Sequence, residues 1–455
     1  ASTVPTFAQT SIYQMPKPEF KMTASDVLKA PLGAPESIDD KSKGVTMYVG
    51  ELNNPSKIRG FVKFKSKDAI NLTTLKKYYY NPDDPADGNL GMLCGVYDGK
   101  DYYGIFGYSY TYGAYPYHFS KVDMQTGDTT AVYRYTSQEQ DAWYNYDFIY
   151  AMAYDKAHDE VMALVPYLTT YTDSEGQEQQ GYVSALYTID RKTGKREFVQ
   201  ALDRLYFNFA FDADGNCFMV RPKDNGKGEA CGTELVKYNS DFVQESVKEL
   251  KSEWGESYLM YYYGTMNFDY TTGELYWLPV GAYGATSLYT IDLDKNIFKS
   301  VSYFSYSGYS FVGLGIPYLE ADSRKAPAQV SGIYAQPNLT GEMSDVVSWT
   351  NPTKAWNKTE LNDIKDVLIY RKKAGVATTD RTNTATLLSS EVSELVATIP
   401  ADGKEGQKME WTDSNPTDGI NTYYVLATNA AGEKGVLDSV RCFVGEDVPG
   451  AVSNI

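Results

Sequence analysis

Four times along the chain an aromatic residue followed by Asp closes an apolar run, and the interval between the pairs is constant. Tyr97-Asp98, Tyr154-Asp155, Phe211-Asp212 and Phe268-Asp269 stand 57 residues apart: 155 − 98, 212 − 155 and 269 − 212 give the same difference. A period in this range, filled with short alternating segments, marks a repeat architecture whose units bury their apolar faces against one another.

The same elements recur inside each period. An apolar run ends at the aromatic-Asp pair, and a tight polar turn follows: Gly99-Lys100, Lys156 to Asp159, Ala213 to Asn216, or Tyr270 to Gly273. These turns are rich in residues that tolerate turn dihedrals. A second strand returns, a longer loop intervenes, and a third strand runs from Phe119 to Asp123, Leu186 to Asp190, Leu235 to Asn239 or Leu288 to Asp292. A further turn leads to a fourth strand such as Thr130 to Tyr135 or Phe298 to Phe304. Four antiparallel strands per repeating unit predict the blade of a β-propeller. A helical solenoid would show a 3.6-residue period, and this chain does not.

The ends set the number of blades. Ahead of the first full unit lie Val45–Leu52, Arg59–Lys65 and Asn71–Tyr79, a blade that lacks its innermost strand. After the fourth unit comes one orphan apolar run, Phe311–Tyr318. Pairing the orphan with the N-terminal strands completes a fifth blade and removes the exposed edges of an open sheet. The expected fold is therefore all-β: a five-bladed β-propeller over residues 45–322, preceded by an extended Pro- and Lys-rich arm over residues 1–44.

At 455 residues the chain has room for more than one domain. Its formal charge is 42 − 59 = −17, with no basic stripe, so nucleic acid and anionic membrane are poor partners. No apolar stretch is long enough to predict a transmembrane helix. The start Ala1-Ser2-Thr3 fits a mature end left by signal cleavage or an arbitrary boundary. Cys94, Cys217, Cys231 and Cys442 show no metal-like spacing. A disulfide between Cys217 and Cys231 is sterically open, but buried free thiols are the expected state for most of the four.

Composition shifts at Ala326-Pro327. Residues 326–445 carry Pro327, the Ser348-Trp349-Thr350-Asn351-Pro352 run, the Val367-Leu368-Ile369-Tyr370-Arg371 strand, and Tyr423 to Asn429 ahead of Gly432. On these residues the segment resembles a fibronectin type III module. The resemblance implies a β-sandwich with Trp349 and Tyr423 in its core. The loop Lys373–Leu388 is longer than that family usually has, and an Arg-Gly-Asp loop is absent. Residues 446–455 read as a tail or as the start of a following module. A Tyr-rich propeller joined to a type III module resembles secreted or surface-anchored proteins of gut and oral Bacteroidetes. That resemblance is one of architecture and implies a secreted, periplasmic or cell-surface location without transferring an activity.

Propeller topology would sort the loops onto two sides, short polar turns on one and long loops and crossovers on the other. The chain has 41 Tyr, and many fall in the long connections. Tyr108, Tyr110, Tyr112, Tyr115 and Tyr117 lie in one loop between second and third strands, Tyr167 and Tyr171 in the next, and Tyr283 in another. Crossovers carry Trp143, Tyr144 and Tyr146, then Trp254 and Tyr258, then Tyr306 and Tyr309. Flat apolar rings with polar tips, interspersed with Asp, Asn and Gln, suit a sugar or peptide ligand. The residues expected to bind it are Tyr108, Tyr110, Tyr112, Tyr115, Trp143, Tyr144, Tyr146, Tyr171, Trp254, Tyr258, Tyr283 and Tyr306. The competing reading of each ring is packing between blades.

Catalytic constellations are thin. His118 and His158 are the only histidines, which argues against a His-based triad or a multi-His metal site. No nucleophile elbow, phosphate-binding loop or dinucleotide fingerprint is present. Asp141, Asp147, Glu253 and Glu256 fall among the aromatics, and two such carboxylates suffice for glycoside hydrolysis. Asp212-Ala213-Asp214-Gly215-Asn216 has the oxygen spacing of a calcium loop but lacks its distal Glu and reads as a hairpin turn. The sequence thus leads to a non-enzymatic extracytoplasmic protein without cofactor or metal. Its propeller face engages a glycan or an extended polypeptide, and the type III module serves as spacer or docking unit. The alternatives are a glycoside-active enzyme on the same face and a structural component of a surface assembly.

Overall fold

The computed structural model describes residues 43–53, 59–78, 91–107, 118–135, 149–172, 175–258, 261–280, 285, 287–305, 309–338, 343–376 and 384–445. The chain divides into two compact units, residues 1–269 with 273–317, and residues 270–272 with 318–455. Both units are built from separate sheets, antiparallel except for one short parallel pairing in the first unit.

In the first unit β1 (Thr46–Asn53), β2 (Arg59–Lys65) and β3 (Asp68–Tyr78) run antiparallel in chain order. A second sheet follows from β4 (Gly91–Tyr97), β5 (Tyr102–Gly107), β6 (His118–Val122) and β7 (Thr129–Arg134). The third comprises β8 (Ala151–Asp155), β9 (Glu160–Thr172), β10 (Glu178–Ile189) and β11 (Arg196–Ala201). The fourth comprises β12 (Asn208–Phe211), β13 (Cys217–Asp224), β14 (Ala230–Tyr238) and β15 (Gln244–Glu249). The fifth holds β16 (Lys251–Ser252), β17 (Tyr261–Asp269), β18 (Glu274–Val280), β19 (Ser287–Asp292) and β20 (Ile297–Tyr303). Here β16 is an addition the repeat did not predict: it pairs parallel with the outer strand β20. The last strand, β21 (Ser310–Gly315), joins the first sheet, which has the order β21-β1-β2-β3. Tyr48 lies opposite Gly315 and Glu51 opposite Phe311.

The repeated Asp is a turn-maker. Asp98 Oδ1 accepts the backbone N–H groups of Lys100 and Asp101, Asp155 Oδ1 those of Ala157 and His158, and Asp212 Oδ1 those of Asp214 and Asn216. A second set occupies the turns before the outermost strands, where Asp123, Asp190 and Asp292 each accept two N–H groups. A carboxylate that satisfies two turn donors fixes the hairpin, which explains its recurrence at one spacing.

Neighbouring sheets share cores. Met47, Val49, Val62, Phe64 and Phe311 pack with Tyr276, Leu278 and Leu288 of the fifth sheet. Val96, Ile105 and Phe119 pack with Met152, Val161 and Ile189. Ala153, Leu164 and Leu186 pack with Phe209, Phe211 and Met219. Among the first strands of the sheets, β4 neighbours β8, β8 neighbours β12, β12 neighbours β17, β17 neighbours β21, and β21 neighbours β4. Burying one such aliphatic or aromatic side chain contributes about 1.5–3 kcal/mol.

Hydrogen bonds also cross between successive sheets. Tyr78 Oη donates to Gly127 O at 2.8 Å, and Tyr135 Oη to Gly194 O at 2.8 Å. Ser302 Oγ donates to Ser66 O at 2.7 Å. Each donor lies on or just after the outer strands of one sheet, and each acceptor lies in the last turn of the following sheet. Between the third and fourth sheets the link is ionic: Arg221 Nη1 stands 2.6 Å from Asp203 Oδ2.

In the second unit β22 (Ser331–Pro337), β23 (Asp345–Thr350), β24 (Ile364–Lys372), α1 (Thr384–Leu387), β25 (Ser393–Pro400), β26 (Lys408–Asp413), β27 (Gly419–Asn429) and β28 (Asp438–Val444) form two sheets, ordered β22-β23-β26 and β25-β24-β27-β28. Val347 and Trp349 from one sheet share a core with Val367, Ile369, Tyr423 and Val425 from the other. Trp349 Nε1 donates to Asn351 Oδ1 at 2.8 Å, so the buried indole keeps a partner. The long Lys373–Leu388 segment ends in α1, whose Leu387 packs on Tyr424 and Leu426. No disulfide joins Cys217 and Cys231: all four cysteines are free, and only Cys231 is exposed.

Candidate functional site

Tyr108, Tyr110, Tyr112, Tyr115, Trp143, Tyr144, Tyr146, Tyr283 and Tyr306 lie outside the described residues, as do Asp141 and Asp147. The described members of the predicted set are Tyr171, Trp254 and Tyr258, and they occupy two different places.

Tyr171 does not lie in a loop, which corrects the sequence reading for it and for Tyr167. Strand β9 extends to Thr172 and pairs with β10 from Val161↔Ile189 to Thr172↔Glu178. The run Tyr167-Leu168-Thr169-Thr170-Tyr171-Thr172 is β-branched and aromatic, the composition that favours extended backbone. The hairpin continues past the buried part of the sheet, so the usual apolar alternation fades while the pairing persists.

This hairpin carries one end of an aromatic strip. The Tyr167 ring centroid lies 6.2 Å from that of Phe198, and Phe198 lies 5.5 Å from Tyr187. The Arg196 guanidinium sits 5.6 Å over Tyr187 and 5.2 Å over Tyr135, whose ring meets Tyr133 edge-on at 5.1 Å. Side chains alternate along a strand, so Tyr171, four residues beyond Tyr167, stands on the same face about 13 Å further on. Its cross-strand partner is Gln179, and between the two tyrosines Thr169 faces Gly181. Phe198 is 54% exposed and Tyr167 46% exposed, whereas Tyr135 is buried. The buried Tyr135, the partly buried Tyr133 and Tyr187 and the Arg196 stack therefore support a rim of exposed rings. Phe198, Tyr187, Tyr133, Tyr135 and Arg196 were absent from the predicted set. Their signal was present as alternation on outer strands, of two aromatics at Tyr133/Tyr135 and of a cation and an aromatic at Arg196/Phe198, and it becomes a strip only through cross-strand pairing.

Trp254 and Tyr258 belong to a separate edge. Ser252 Oγ accepts the N–H groups of Trp254 and Glu256, and Ser252 N donates to Glu256 O. Glu253 N donates to Phe298 O, and the Tyr258 ring packs 6.1 Å from Phe298. The loop is thus held against β20 beside the Asp292–Asn296 turn, and at its far end Tyr258 O accepts from Thr233 Oγ1 of β14 at 2.8 Å. Trp254, at its tip, is 80% exposed. Glu253 and Glu256 share this exposed loop, and the Tyr258 hydroxyl donates to Glu256.

The histidines stand apart from both places. His118, opposite Arg134 on the neighbouring strand, is lowered by burial and by that guanidinium. His158 Nδ1 lies 2.7 Å from Asp155 Oδ2, and that carboxylate raises its pKa. The Asp212–Asn216 segment is a hairpin turn in which Asn216 Nδ2 donates to Asp212 Oδ2 at 2.8 Å. Among the described residues no helix is long and apolar enough to cross a membrane.

No family model and no curated protein matches the chain. Among solved structures it is similar to a DUF4623 family protein from Bacteroides eggerthii at 9% identity, covering 89% of this chain and 84% of that one, with a TM-score of 0.30. It is also similar to a putative 6-phosphogluconolactonase from Bacteroides fragilis at 8% identity, covering 83% of this chain and 100% of that one, with a TM-score of 0.31. A third is the extracellular domain of a putative hybrid two component system from B. thetaiotaomicron at 10% identity, covering 87% and 57% of the two chains, with a TM-score of 0.27. Similarity at this level transfers neither fold nor activity to the present chain.

Proposed function

We propose that the chain is a non-enzymatic extracytoplasmic glycan-binding protein, with a five-bladed β-propeller over residues 45–322 and a fibronectin type III module over residues 326–445. The propeller reading is supported by the cyclic adjacency of β4, β8, β12, β17 and β21, together with the sheet that β21 completes. The type III reading is supported by the two strand orders of the second unit and by the buried Trp349 and Tyr423.

The binding reading rests on one observation, the exposed rings of Tyr167 and Phe198 held in a strip by Tyr187, Arg196 and Tyr135. Aromatic faces stack on the apolar C–H faces of sugars, and Gln179 and Thr169 add hydrogen-bonding edges to the same platform. Rings fixed on strands lose little entropy when a ligand arrives. The type III module acts as spacer or docking unit. A glycan array probed with the full chain and with Tyr167→Ala/Phe198→Ala tests this. Glycan binding that the double variant loses supports the proposal. No bound glycan, or equal binding by both proteins, overturns it, and capture of extended peptides instead would assign the strip to a polypeptide ligand.

A further inference from the structure

Asp345 opens β23 in the core of the second unit. Its side chain is 0% exposed, and neither carboxyl oxygen has a hydrogen-bond partner. Its register partner across the sheet is a second carboxylate, Asp413. The positive charge and the phenol nearby are already committed to that second group: Arg371 Nη1 stands 2.6 Å from Asp413 Oδ2, and Tyr423 Oη donates to the same oxygen at 2.9 Å. Arg371 also pairs with Glu394 on β25. From β28 the nearest titratable group is the Cys442 thiol, pushed up to about 12 by burial and by Asp345. On β22 the facing position is Pro337, which brings no charge. The Cys442 thiol, the Tyr423 hydroxyl and the Gln336 N–H lie near Asp345 without closing a hydrogen bond to it, and an ionised carboxylate buried beside another with so little support is among the costliest arrangements a core can hold.

We propose that Asp345 is a proton-operated lock on the second unit: the protonated carboxyl is compatible with the packed two-sheet core, and its ionisation loosens the β22–β23 hairpin. Burial, the larger cause, and the Asp413 charge raise the Asp345 carboxyl above its ordinary range, and the nearby Cys442 and Tyr423 offset only part of this. The sign follows. A carboxyl raised on folding contributes stability that is complete below about pH 4, its unfolded value, and is lost as pH rises through the folded value. Both histidines lie in the first unit, so they do not obscure this window in the second.

Hydrogen exchange of β22 and β23 peptides in the full chain, corrected for intrinsic rates and followed from pH 4.5 to 8, reads the lock directly. The open-to-closed ratio of the hairpin should climb by up to about tenfold per pH unit within the window, the limit for one proton. In Asp345→Asn that climb should vanish while the first unit exchanges as before. Parallel profiles for the two proteins overturn the proposal. Should Asp345→Asn not fold, the carbon-13 carboxyl resonance of Asp345 in the wild-type chain decides: titration above the ordinary aspartate range supports the lock, and titration at or below it refutes it.

Discussion

The hydroxyl of Tyr135 donates to the carbonyl of Gly194 at 2.8 Å, 59 residues further along the chain. Tyr78 makes the same bond to Gly127, and both acceptors have left-handed backbone, at φ 70° and 75°. Each tyrosine ends the outer strand of one sheet and closes on the last turn of the next. The carbonyl is presented because the turn passes through a conformation that glycine adopts without strain.

Two substitutions at this latch separate its components. Tyr135→Phe keeps the ring under Arg196 but leaves the Gly194 carbonyl without its donor, at a cost of about 1–2 kcal/mol. Gly194→Ala forces a Cβ into the left-handed region and against Tyr133, so it should cost more than Tyr135→Phe. Urea denaturation of the full chain, comparing both variants with wild type, gives the order.

The strip should bind without supporting the fold. Tyr167→Ala and Phe198→Ala remove exposed rings, so the denaturation midpoint should stay near that of wild type. Affinity for any glycan retained on the array should drop about tenfold for each, equivalent to about 1.4 kcal/mol. Tyr171→Ala should weaken long oligosaccharides and spare short ones, given its separation of about 13 Å from Tyr167. Calorimetric titration with oligosaccharides of increasing length measures both effects.

His158 gives the first unit a small pH dependence. The Asp155 carboxylate raises the imidazole pKa. Its contribution is therefore complete below about pH 6.5, the unfolded value, and fades as pH rises through the folded value. The ring is half-exposed, which keeps the effect small. His158→Asn should flatten the stability profile between pH 6 and 8, and an unchanged slope in denaturation curves would remove the role.

Trp349 should anchor the second unit. The indole is fully buried, and its N–H is paired with Asn351. Trp349→Ala should cost about 3–5 kcal/mol, while Trp254→Ala, at an exposed tip, should change stability by less than about 0.5 kcal/mol. Thermal unfolding of the two variants provides the contrast.

Much of the strand layout was legible because the aromatic-Asp pair does a local job: its carboxylate caps a hairpin, so its spacing reports where hairpins fall. The union of Phe311–Tyr318 with the N-terminal strands was legible from counting, since each group lacked what the other supplied. The β9–β10 extension was not, because strands wet on both faces lose the alternation that marks them. Strand β16 and the strip were hidden for another reason. Lys251 pairs with Ile297, and Tyr135 meets Arg196, across sequence separations that no local pattern encodes.

The placement of Phe311 opposite Glu51 also fixes an order of events in synthesis. A ribosome delivers β1 some 260 residues ahead of its β21 partner (311 − 51). Throughout that interval the nascent first sheet exposes an unpaired backbone margin, the kind of edge that recruits stray strands. The first sheet to begin is therefore the last to be completed, since Tyr48 gains its partner only when Gly315 is free to pair.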